Sequence, residues 1–473
     1  MNQDTPLPFD LPAVARKKLT VDFAGGNLSS DGGLLLLRQA EAATGVCKRL
    51  AEAMPDDRDP ARVVHAMTEL VTMRAMAIAT GYIDGIDLNT LRHDPLLKLA
   101  IERHPETGTP LASQSTISRL ENAPTKREAL RLTAALVDQF ATSVTPGAEE
   151  ILDIDDTFCV AHGGQQMALW NAHHDERGFA PMHVYHAGTG LPVVTILRPA
   201  RTPSGTELLC VVKRLTQRLK QHWLSTTLIW RGDSHYCRSE AMDWIEANDG
   251  RYIFGLAGNA VLHRLMAETA DDLRFQHVIG PWDEKRRCYM SFEYKAKRWS
   301  KARRVVARLE ASLVPDPKCP YGDMRQEVDI RYVVTNLEGD AQHLYENVYC
   351  QRGQMENLIK LHKSQLGSDR LSCHSATANQ VRLVLHTAAF WLVHKVRAAV
   401  PAGHALAKAE FTTLREKLFK IGVRVIEHAA RIRIHLPTSC VEAALFRHVA
   451  LALMPAQPTP SRRVAADLMP AGP

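Results

Sequence analysis

Residues 346–367 read ENVYCQRGQMENLIKLHKSQLG. Val348, Met355, Leu358, Ile359 and Leu361 recur at helical intervals, and the spacing predicts one helix. At about 100° per residue, Tyr349, Arg352, Glu356 and Lys363 fall within roughly 60° of arc and about 21 Å of axis, largely apart from the apolar side chains. A phenol, a guanidinium, one carboxylate and an ammonium on a single stripe form either a solvated face with Glu–Lys pairing or a surface made for an anion.

Working outward, the chain has 473 residues, enough for two to four domains. Hydrophobic residues at 45% and charged ones at 23% give a globular protein with a sizeable core. The first eighteen residues lack an apolar signal core, and LVLHTAAFWLV (383–393) is too short to span a bilayer, so a cytoplasmic, nucleoid-associated protein with no membrane partner is expected. Nine cysteines without a C-x-x-C pair read as free thiols, and His173, His174, His183 and His186 lack metal-finger spacing. The net charge of +6 is unevenly spread: residues 285–308 hold ten basic residues against one acid, interleaved with Tyr289, Phe292, Tyr294 and Trp299. Such a run is either a solvated face or a seat for a polyanion.

Along the chain, SSDGG (29–33) opens a mainly helical region in which Asp31 is a candidate N-cap. The polar helix predicted within 108–124 turns Ile117 and Leu120 inward and Gln114, Ser115, Ser118 and Arg119 outward, as a recognition helix would and as an ordinary capped surface helix also would. Strands follow at 151–160, at PMHVYHA and LPVVTIL around Gly188–Gly190, at 226–230 and at 251–257, with helices near 205–222 and 237–248. The order β-β-β-α-β-α-β is that of an RNase H-like fold. Asp153 and Asp155 share one face of the first strand, Asp156 takes the other, and Asp233 lies just past the end of the fourth. In such a sheet the first and fourth strands are neighbours, so two aspartates and Glu356 could converge. Hard carboxylate oxygens suit Mg²⁺, and a pair of such ions serves phosphodiester chemistry.

Tyr349-x2-Arg352-x3-Glu356-x6-Lys363 resembles the last-acid signature of DDE transposases from bacterial insertion sequences. LDIDDT resembles their first-acid strand, with the catalytic Asp two residues before Thr157, and RGDSHY their second-acid segment. HGGQQ, LRPA and SSDGGLLLL are similar to the thirteen-eighty group of these elements, and the resemblance covers about residues 20–400. It departs at RPAR (198–201), where Gly-Asn is expected after Pro, and at Asp156, where a small residue is usual.

The resemblance implies Asp155, Asp233 and Glu356 as catalytic metal ligands, with Asp153 in reserve, holding two Mg²⁺ ions for which Mn²⁺ can substitute. It implies cleavage at transposon ends and 3′-hydroxyl strand transfer, on double-stranded terminal repeats and target DNA, by a homodimer. Tyr349, Arg352 and Lys363 are the expected backbone contacts. Trp299, Lys297 and Arg298 are expected contacts of the insertion, and Gln114, Ser115 and Arg119 those of the helical region. The alternatives are an RNase H-like nuclease without strand transfer and a domesticated, non-catalytic DNA-binding protein. The expected layout is α/β: a disordered 1–18, a mainly helical DNA-binding domain 19–148, the RNase H-like core 149–258, a β-rich insertion 259–345, the last-acid region 346–400, a helical C-terminal region 401–453 and a disordered tail 454–473.

Overall fold

The computed structural model describes residues 7, 9, 12–281, 284–315 and 324–454; half of the segment 1–18 expected to be disordered, and all of the expected disordered tail beyond residue 454, lie outside them. The strands among the described residues are β1 Leu28–Ser29, β2 Glu149–Asp156, β3 Cys159–Val160, β4 Leu169–Asn171, β5 Glu176–Phe179, β6 Met182–His186, β7 Pro192–Ile196, β8 Thr227–Gly232, β9 Arg251–Leu256, β10 Arg286–Tyr294, β11 Arg303–Pro315, β12 Met324–Thr335, β13 Val423–His428 and β14 Arg431–His435. Eight of them form one mixed sheet in the order β10-β11-β12-β9-β8-β2-β6-β7. The protein is mixed α/β.

β2, β8 and β9 are parallel, which requires the crossover helices Gly205–Lys220 and Ser239–Ala247. β6 and β7 form the antiparallel hairpin predicted around Gly188–Gly190; Gly190 turns it at φ +68°. The strands of residues 259–345 do not form a separate layer. β12 pairs antiparallel with β9, and β11 and β10 continue the same sheet.

The helix Ala376–Ala398, buried along most of its length, lies between β7 and the N-terminal helices Leu34–Thr44, Met67–Thr80 and Lys126–Ser143. One hydrophobic core runs through all of them, from Leu34 to Leu453. No helix among the described residues is long and apolar enough to cross a membrane.

The SSDGG motif joins the two ends of the described chain. Asp31 does not cap the helix Leu34–Thr44, whose N-cap is Gly33 with no side-chain hydrogen bond. Its buried carboxylate instead accepts from Lys420 Nζ at 2.6 Å and Tyr82 Oη at 2.8 Å. The amides of Gly32 and Gly33 donate to the carbonyls of Ile421 and Phe419. The C-terminal region is also not all helix: β13 and β14 form a hairpin that pairs with β1. Its alternation, VRVIEH and RIRIH, is strand-like, but the turn at Ala429–Ala430 lacks the usual turn residues.

A Cβ added at Gly33 would sit 2.4 Å from Phe419 Cα, a backbone clash. Gly33→Ala should therefore cost about 1–3 kcal/mol by overpacking, read as a lowered urea midpoint. Gly422→Ala, where the added Cβ meets nothing within 4 Å, should unfold much closer to the parent protein.

Candidate active site

The predicted helix begins at Asp340, whose carboxylate accepts from the His343 amide at 2.9 Å, and it closes at Gly367, φ +66°. It is helical throughout but not uniformly α. Leu344–Tyr349 and Leu361–Gln365 are π turns, and Cys350–Arg352 is a tight 3₁₀ turn. A constant 100° per residue therefore fails here, and the four signature residues do not act as one stripe.

Tyr349 Oη and the backbone of residues 233–234 both lie against Gly255. Only glycine fits at 255, because a Cβ there would lie 2.7 Å from Tyr349 Oη. Arg352 donates from Nη1 to Asp155 Oδ2 at 2.6 Å and from Nη2 to Glu356 Oε1 at 3.1 Å. Lys363 stands apart, donating to the Phe158 carbonyl at 2.6 Å, where the chain leaves β2.

The acids differ sharply. Asp153 is buried and bound by Arg231 through two hydrogen bonds of 2.5 and 2.7 Å; a third donor of that guanidinium reaches the Val348 carbonyl. Both oxygens of the reserve candidate Asp153 are thus already taken by an arginine inside the fold. Asp155 accepts from the Asp156 amide at 2.9 Å as well as from Arg352. Burial, with Asp233 and Asp156 adding to it against the pull of Arg352, pushes its carboxyl up to about 7. Asp233 Oδ1 accepts from the His235 amide at 2.8 Å. Glu356 is largely exposed, its side chain 63% accessible. Asp155 and Glu356 thus share one guanidinium, Asp233 lies near enough to act on both Asp155 and Arg352 through its charge, and among the described residues no three His, Cys, Asp or Glu side chains already form a metal cage.

The matching family model, described as Transposase DDE domain group 1, covers residues 11–458. The chain belongs to this family. A cryo-EM structure of the piggyBac transposase synaptic complex with hairpin DNA is similar at 12% identity and a TM-score of 0.39, over 82% of this chain and 80% of that one. A likeness of that size carries no argument. No curated protein matches.

In this DDE transposase the two departures from the family pattern meet each other. Arg198 of RPAR is buried and donates to Asp156 at 3.4 Å, to Glu207 at 2.6 Å and to the carbonyls of Ala180 and Arg201. Tyr236 Oη donates to Asp156 at 3.1 Å. Asp156 lies on the face opposite Asp155 and is satisfied there. Arg231, Arg198 and Tyr236 were not anticipated from sequence; the visible signal for Arg231 is its place two residues before Asp233.

Half of the basic run is paired within the protein. Lys285 and Arg287 pair with Glu310, Arg308 with Glu310 and Asp329, and Lys301 and Arg303 with Glu246. These carboxylates come from outside the run: Glu310 further along β11, Asp329 on β12 and Glu246 on the helix Ser239–Ala247. Lys297 and Arg298 remain exposed in the turn between β10 and β11. Trp299 is 7% exposed, set edge-on to Tyr294 and beneath Arg303. This ring, expected as a contact of the insertion, is enclosed by the protein's own side chains. In the N-terminal region, Ser115 and Arg119 are exposed and Gln114 half-buried, while Ile117 and Leu120 are buried as predicted. Glu121 of the same helix is buried too, between Arg74 and Arg382.

Two outcomes follow from these placements. Trp299→Ala should cost about 3–5 kcal/mol, measured by denaturant melts. For Asp155, the fold favours the protonated carboxyl, so its ionisation removes stability as pH rises from the ordinary carboxylate range to about 7. Asp155→Asn should thus melt at or above the parent at pH 8, with the difference narrowing toward pH 5; the opposite trend would make the Arg352 pair dominant.

Proposed function

We propose that the protein is a bacterial insertion-sequence transposase that cleaves DNA at transposon ends and joins the freed 3′-hydroxyl to target DNA. The observation that carries this reading is the gathering of Asp155, Glu356 and Arg352 beside Asp233, at the ends of the adjacent parallel strands β2 and β8, in a chain of the DDE family. The strand order β7-β6-β2-β8-β9 supports an RNase H-like core, with 259–345 as its β-rich insertion and 19–148 as the end-recognition region.

Asp155, Asp233 and Glu356 would hold Mg²⁺, two ions in the full site, with Mn²⁺ able to substitute. Their hard oxygen donors fit such ions, and the raised carboxyl of Asp155 is what a cation would relieve. When bound, the ions supply activation of the attacking oxygen and stabilisation of the leaving one. The chain's own part is positional. Arg231 fixes β2 against β8 and the helix, Tyr349 fixes the segment carrying Asp233, and Lys363 fixes the exit of β2. Arg352 is the closest cation for a scissile phosphate, and Lys363, Lys297 and Arg298 flank the same DNA. Gln114, Ser115 and Arg119 would read the terminal repeats, with two chains serving the two ends.

Glu356→Gln, Asp155→Asn and Asp233→Asn should each lower cleavage of inverted-repeat DNA by about three orders of magnitude, as removal of one member of a catalytic unit does. Gel shifts should show end binding retained. Arg352→Ala and Lys363→Ala should weaken binding and reduce its log–log salt slope by about one each. Near-normal joining by Glu356→Gln would overturn the assignment, and cutting without joining in a two-plasmid assay would leave a nuclease. The helix Gln114–Asn122 buries against residues far along the chain, so recognition is best tested in the intact protein. Arg119→Ala should narrow the preference for repeat over random DNA while sparing random-DNA affinity; equal loss on both would move recognition elsewhere.

A further inference from the structure

We propose that Arg352 is a latch: its guanidinium holds Asp155 and Glu356 together, and a divalent cation and a DNA phosphate displace it jointly, so that each ligand strengthens binding of the other. This rests on the metal-site reading above.

The geometry is specific. One guanidinium spans two carboxylates on different elements, Asp155 on β2 and Glu356 on the helix, with a different Nη on each. A cation drawing the same two oxygens meets a positive charge already between them. A cation seated on those two oxygens, Asp155 Oδ2 and Glu356 Oε1, therefore excludes this bridge. A displaced guanidinium needs another anion, and phosphate matches its planar fork. Once Arg352 is engaged by phosphate, the carboxylates are released to the cation. Reciprocity then requires that the cation also improve affinity for phosphate.

The backbone supplies the means. Arg352 ends a tight turn that directly follows the π turn Leu344–Tyr349, and irregular turns of this kind inside helices concentrate at functional sites. A Cβ placed at Gly353 meets nothing within 4 Å, so the surface beside Arg352 is open to a moving side chain. The two partners also differ in exposure. Asp155 is 16% accessible and Glu356 63%, so release of the outer contact leaves the inner acid facing the vacated space.

The test is titration of the full-length protein with Mn²⁺, followed by the electron paramagnetic resonance signal of the free ion. Without DNA, Arg352→Gln should bind Mn²⁺ about tenfold more tightly than the parent, within the usual range of coupling between sites. Arg352→Lys separates a latch from a simple charge effect. It keeps the charge but lacks the fork that gives each carboxylate its own nitrogen, so it should also tighten Mn²⁺ binding, whereas a pure field effect predicts no change. A short random-sequence duplex should tighten Mn²⁺ binding to the parent several-fold and to Arg352→Gln much less. Unchanged or weaker Mn²⁺ binding in Arg352→Gln, with a melting temperature near the parent's, overturns the latch, as do equal gains from DNA in both proteins. If Asp155→Asn and Asp233→Asn leave Mn²⁺ binding intact, the metal-site reading fails with it. If they abolish it while the Arg352 variants change nothing, only the latch fails.

Discussion

A single buried guanidinium ties together the three elements on which the site is built. Arg231 sits on β8 directly opposite Asp153 of β2 and takes both oxygens of that carboxylate, while its remaining donor reaches the Val348 carbonyl of the signature helix. The relative positions of Asp155 two residues along β2, Asp233 two residues along from Arg231, and Arg352 one turn along the helix all depend on this clamp. Burying such a pair is costly, and its value lies in geometry more than in net stability. Removing either partner would leave an uncompensated charge beneath the acids.

The parts of this arrangement visible in sequence are those with local signals. The β2 alternation, the strand ending at Arg231-Gly232-Asp233, the hairpin turning at Gly190 and the helix bearing Glu356 all follow from periodicity and turn chemistry. What was not legible depends on partners distant in the chain. Asp153 and Asp155 stand on the same face two residues apart, and only Arg231 makes one structural and leaves the other available. The basic run of 285–308 looks like a polyanion seat until the register of β10, β11 and β12 sets Glu310 and Asp329 beside it. Asp31 has the look of a cap, yet its partner Lys420 lies 389 residues away. The π and 3₁₀ turns of the signature helix are a tertiary effect that no average helical angle predicts.

The same view explains why two apparent anomalies are one feature. Asp156 and Arg198 each break the expected pattern, and each would be unfavourable alone: a buried carboxylate raised in pKa by desolvation, and a buried guanidinium without an anion. Together with Glu207 and Tyr236 they make a polar network on the side of β2 opposite the acids. The face carrying Asp155 and the face carrying Asp156 are thereby served by different arginines, which keeps the two carboxylates from competing for one counter-ion.

The joining of SSDGG to residues 419–423 bears on how the chain is made. The N-terminal helices leave the ribosome long before the helix Ala376–Ala398 and the β13–β14 hairpin against which they bury. At ordinary synthesis rates of 5–20 residues per second, the helix Met67–Thr80 waits about 15–60 s for its partner. During that interval its apolar surface is open to holdase chaperones, and a product truncated before residue 376 never acquires the partner. Synthesis of residues 376–423 is thus a physical checkpoint on the protein: the helices Leu34–Thr44 and Met67–Thr80 are packed only when those residues have arrived.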